Sequence, residues 1–235
     1  MTYLEDSLQN FCGDWWIKNT VPHITRGSLI KAFAHHTDQH PMILTLTGRS
    51  SPTEHKNIAY QVEPLQYSKP YEYPRLPVAA VPAKFGEKQL VLRAKIRSLI
   101  VINTPVIDGP TYRDFKGGAP WQYKRAFIGV PGYGVDLSNM RTGWHPEFST
   151  RIRRCEYPEY LWGMTPSERN TPEALIYRFD QMQPIGFDQK AYKILPYRLS
   201  NEALKIFDEQ LEWFLWGQLD PNGILYDFRR DIKNI

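Results

Sequence analysis

The chain has 235 residues, 42% of them hydrophobic and 14% aromatic, which supports a folded core and argues against intrinsic disorder. A net charge of +4 permits an acidic partner such as nucleic acid without requiring one. Two cysteines, Cys12 and Cys155, with no CxxC spacing argue against a disulfide framework or a cysteine zinc site.

The first residues carry acids and lack the basic-then-apolar pattern of a secretion signal, and no apolar run reaches the ~20 residues of a membrane helix. The expectation is a soluble, cytoplasmic protein. Leu4, Leu8, Phe11, Trp15 and Trp16 fall at near-helical spacing, so residues 1–20 read as a helical extension. Strands are expected at 26–33, after the Arg26-Gly27 turn, at 42–47 and at 58–65. Residues 67–82, rich in Pro and Tyr, read as an ordered excursion with a short strand at 78–81.

Residues 89–103 form one long strand or two joined by a bend. Arg93, Lys95 and Arg97 recur at every second position and would share one side of it. Leu99 to Ile102 is continuously aliphatic, as in a strand covered on both faces. A basic row anchored on such a strand can present several donors to an anion; the plain alternative is a solvated strand face. A glycine-containing loop at 104–122 precedes a buried strand at 126–131 and the Gly132-Tyr133-Gly134 step. The segment 144–162 mixes Arg151, Arg153 and Arg154 with Trp144, Tyr157, Tyr160 and Trp162. A strand follows at 174–180. Ser200 then caps a helix over 201–215, with Leu204, Phe207, Leu211 and Leu215 on one stripe. The whole reads as one mainly β domain, a small barrel with a C-terminal helix and a large insertion at 34–90.

The order of four short segments resembles a known family. They are Arg26-Gly27-Ser28-Leu29-Ile30, then Ile96-Arg97-Ser98-Leu99-Ile100, then Phe127-Ile128-Gly129-Val130-Pro131, then the strand leading to Asp180-Gln181, with a helix from Ser200 closing the series. This is similar to the MazF/PemK (Kid) toxins, whose SH3-like barrel carries an Arg-Gly opening, an arginine-headed second strand, an apolar-Ala-Pro step and an Asp-Gln pair in this order. The resemblance implies metal-independent cleavage of single-stranded RNA, no cofactor, a homodimer and an antitoxin partner.

Arg97 then matches the family's catalytic arginine. The departures are Ser98 in place of a proline, Ser28 in place of an acid, and Tyr133 where a small hydroxyl residue belongs, with Ser138 further along. A tyrosine can donate a hydrogen bond and stack on a base, so Tyr133 is the second candidate beside Arg97. The alternative for Arg97 is a structural pair with an acid at the barrel rim.

Arg93, Lys95, Arg151, Arg153, Arg154, Trp144 and Tyr157 are the candidate RNA contacts, cations for phosphates and rings for unpaired bases. Their alternative role is cation–π packing of an inserted segment. A binding module of the same fold, acting on nucleic acid or protein without catalysis, is the second functional expectation. His35, His36, Asp38 and His40 carry metal-ligand chemistry but match no metal motif, so no metal is expected.

Overall fold

The structure, a computed structural model, describes residues 6–21, 23–49, 51, 58–66, 87–103, 125–135, 143–168, 171–188 and 190–232. The chain divides into two units, Met1–Ala34 with Ile96–Ile235, and His35–Lys95. The expected strand at 78–81 and loop at 104–122 lie outside the described residues, as does Ser138.

The fold is mainly β, built on a curled antiparallel half-barrel sheet in the first unit. Its strands are β1 (Trp16–Lys18), β2 (Ser28–His35), β6 (Ala94–Val101), β7 (Ala126–Gly134), β8 (Tyr160–Thr165), β9 (Glu173–Arg178), β10 (Gln183–Gly186) and β11 (Tyr192–Leu199). The spatial order is β1-β11-β2-β6-β7-β9-β8, with β10 also on β7. The four segments singled out in the sequence, β2, β6, β7 and β9, are therefore consecutive neighbours. Opposite β6, β7 pairs with β10 through residues 126–129 and with β9 through residues 132–134. The 3-10 turn Phe179–Gln181 between β9 and β10 makes that change of partner possible.

Alternation along β6 explains its uninterrupted apolar run. Ile100 and Ile102 enter a large core with Leu29, Val130 and Tyr177, while Leu99 and Val101 enter a smaller one with Ile30, Phe127 and Ile185. Each fully buried aliphatic side chain contributes roughly 1.5–3 kcal/mol, so the run anchors both layers. The large core is covered by α2 (Asn201–Trp216) and α3 (Ile224–Ile232) through Ala203, Ile206, Phe207, Leu225 and Phe228.

Ser200 caps α2 as expected, its hydroxyl accepting from the Ala203 amide at 3.1 Å, and Gly217 ends the helix with a left-handed φ of 72°. The buried stripe is rotated from the expected one. Ala203, Ile206, Phe207, Gln210 and Trp213 are buried, whereas Leu215 is 50% exposed.

The N-terminal helix is a correction. Residues 6–20 hold only the 3-10 turn Leu8–Phe11 and β1. Ser7 is extended and makes no side-chain cap, and Gly13-Asp14 interrupts any helical run. Trp16 instead opens β1, paired with Leu199, and Trp15 stands just before it. Elements not foreseen are β1, β8, β10, β11, α3 and the helix α1 (Pro146–Arg153).

The second unit contains β3 (Met42–Arg49), β4 (Ile58–Pro64) and β5 (Gln89–Val91), in the antiparallel order β4-β3-β5. The register places Met42, Leu44, Leu46, Tyr60, Val62 and Val91 on one face. No residue of these strands whose burial is described is fully buried.

Candidate functional site

The β6–β7 register pairs Leu99 with Pro131 and Ile100 with Val130, and continuing it puts Arg97 opposite Tyr133. The Arg97 guanidinium carbon stands 3.8 Å from the centre of the Tyr133 ring, in cation–π contact. Arg97 is half-buried, and its Nε, out of reach of water, has no hydrogen-bond partner among the described residues. Burial pulls its pKa down, Tyr133 opposes that shift, and a second cation, Arg178, adds to it. Among the described residues no carboxylate is paired with Arg97.

Arg178 ends β9 on the other side of β7. Its guanidinium carbon lies 5.5 Å from the Tyr133 ring and 5.6 Å from the Tyr160 ring. Its Nε donates to Asp180 Oδ1 at 3.0 Å and its Nη2 to Oδ2. That pairing raises the Arg178 pKa, partly offset by burial, and fixes the guanidinium as a cation. Asp180 lies in the Phe179–Gln181 turn immediately after the strand, two residues from Arg178, while the chain continues in the same direction along β7 into β10. One phenol ring thus has two guanidinium groups beside it and a carboxylate held by the second.

Gly132 sets how closely these strands approach. A Cβ there would lie 2.9 Å from Leu175 Cδ1, 3.2 Å from Tyr177 Cε1 and 3.3 Å from Ser98 O. Only a glycine lets β7 sit this tightly against both neighbours, with Tyr133 next in line.

The other predicted contacts divide. Arg93 and Lys95 belong to the second unit, Arg93 between β5 and β6 and Lys95 exposed at the start of β6, while Arg97 belongs to the first. Arg153 binds Asp6 through Nε and Nη2, both at 2.8 Å, with its side chain only 19% exposed. Arg151 pairs with Glu156 at 2.7 Å and lies over the Tyr157 ring. Arg154 has its Nε buried without a partner among the described residues. Two of these three arginines are thus in contact with acids. Trp144 and Tyr157 do come together, around Phe148 and Tyr160.

Arg178 and Tyr160 were missed as site residues. The signal for Arg178 was present as a cation two residues before Asp180 at a strand end, and Tyr160 stood in the aromatic segment 144–162 without being placed among the candidate contacts. Among the described residues no group of three His, Cys, Asp or Glu converges as a metal site. Within them, no helix is long and apolar enough to cross a membrane. Compared with models of known families, with curated proteins and with solved structures, the chain matches none.

Proposed function

We propose that this chain is an RNA-directed protein of the MazF/PemK kind on an SH3-like barrel, gripping the phosphodiester of single-stranded RNA between Arg97 and Arg178. The observation that carries the reading is the placement of two guanidinium groups beside the same Tyr133 ring. A guanidinium binds a phosphate in bidentate fashion, and two of them offset the charge that builds on it during in-line attack. The consecutive placement of β2, β6, β7 and β9 is what a barrel of that family requires.

The reaction is metal-independent cleavage. The ribose 2′-oxygen bonds to phosphorus as the bond to the 5′-oxygen breaks, leaving a 2′,3′-cyclic phosphate and a 5′-hydroxyl. The 2′-hydroxyl proton needs a base, and Asp180, which accepts from Arg178, is a carboxylate at hand among the described residues. The departing 5′-oxygen needs a proton, which the Tyr133 hydroxyl or water supplies.

A second reading, binding without turnover, is favoured by one feature. The Tyr133 ring covers the Arg97 face where the related toxins carry a small hydroxyl residue.

Incubation of the purified chain with mixed single-stranded RNA separates the two. Cleavage that persists in chelator and falls at least a hundredfold in Arg97→Ala supports the enzyme. Retention of RNA without products supports the binding module. Absence of both, with a folded protein, rejects the proposal.

A further inference from the structure

Arg178 connects the anion site to a second group of rings. Its guanidinium borders Tyr133 on one side and Tyr160 on the other, at 5.5 and 5.6 Å. Beyond it, Tyr160 meets Trp144 edge-on at 5.7 Å, Phe148 at 5.5 Å and Tyr157 at 6.1 Å. Trp144 is itself stacked on Phe148, at 5.6 Å and 25°. These four rings are each partly open to water, although Ile152, Trp162 and Ile176 beneath them are buried.

The platform is also held rigidly. Gln210, fully buried in α2, donates from Nε2 to the carbonyls of Tyr157 at 3.0 Å and Pro158 at 2.8 Å, with that of Tyr160 at 3.3 Å. The Phe179 amide donates to the Glu159 carbonyl at 2.9 Å, tying the same turn to the strand end that carries Arg178.

We propose that Trp144, Phe148, Tyr157 and Tyr160 form a nucleobase-stacking subsite for the nucleotide whose phosphate lies at Arg97 and Arg178. This rests on the phosphodiester reading above and extends it from an anion to a nucleotide. Arg178 borders both places, so a phosphate on the cation and a base on the adjoining rings are contacts one nucleotide makes at once. Inorganic phosphate and ribose 5-phosphate can make only the first. Stacking of a base on an aromatic side chain strengthens binding by about five- to a hundredfold.

The test titrates the intact chain with inorganic phosphate, ribose 5-phosphate and adenosine 5′-monophosphate, followed by tryptophan fluorescence and NMR shifts. The mononucleotide is expected to bind about tenfold or more tightly than ribose 5-phosphate. Trp144→Leu and Tyr157→Leu, checked for folding by circular dichroism, should abolish that advantage while leaving ribose 5-phosphate affinity unchanged. Trp144→Phe, which keeps a ring, should retain it. Equal affinity for the two ligands, or a nucleotide preference that survives both leucine variants, overturns the subsite and leaves the phosphate reading standing. Phosphate binding that is absent, or insensitive to both Arg97→Ala and Arg178→Ala, overturns the phosphate reading and the subsite with it.

Discussion

Single side chains in this protein carry charges whose pH behaviour can be anticipated from their partners. The hydrogen bonds from Arg153 hold Asp6 below the ordinary carboxylate value of 3.8, against the opposing effect of burial. A carboxylate with a lowered folded-state pKa stabilises the fold above its unfolded pKa and loses that contribution as pH falls through the folded value. Asp6→Asn should therefore lower stability by about 1 kcal/mol at neutral pH. The deficit should shrink as pH falls below 3.8 and vanish only below the lowered folded-state value, as read by urea unfolding at several pH values. The cysteines give a second expectation. Burial pushes the Cys155 thiol up to about 12 and the Cys12 thiol up to about 11. Neither forms thiolate near neutrality, so iodoacetamide should label the native chain slowly at pH 8 and both thiols promptly in denaturant.

Secondary-structure elements show where local rules suffice and where they fail. Ser200→Ala removes the hydroxyl that meets the Ala203 amide, and α2 should lose about 1 kcal/mol in thermal or urea unfolding. Gly132→Ala forces a methyl group into Leu175 and Tyr177, so it should weaken RNA retention as well as stability by prising β7 from β9. The α2 start was legible because Ser200 acts on its own first turn. The double burial of β6 was legible because period-two alternation with no polar residue requires two cores. Trp15 and Trp16 misled, because aromatic spacing is shared by a short amphipathic helix and by a strand bounded by turns. The strands β8, β10 and β11 were hidden by Gly163, Pro184 and Pro196, which disguise strand patterns locally while neighbouring strands supply the pairing. At the site, Arg97 and Tyr133 could be named in advance from their segments. Their ring contact, and the arrival of Arg178 and Tyr160 beside them, depend on strand register between segments distant in sequence.

At the scale of the molecule, the net charge of +4 is modest, so the RNA binding proposed above should depend on a few placed cations rather than a diffuse field. For single strands the logarithm of affinity falls against that of salt by about 0.7 per phosphate contact. Arg97→Ala should accordingly flatten the slope by about 0.7, and a slope that does not change would argue against a phosphate at that residue. The half-barrel has a further property at its margin. β1 and β8 stand at opposite ends of the strand order, yet the Trp16 indole N–H donates to the Met164 carbonyl at 2.8 Å. The Gln9 amide likewise donates to the Trp162 carbonyl. Among the described residues, two side chains thus lace the half-barrel's margins together where its end strands have no backbone pairing. Its first breach under stress should open along that lacing, releasing β8 as an adhesive border through which molecules could knit together.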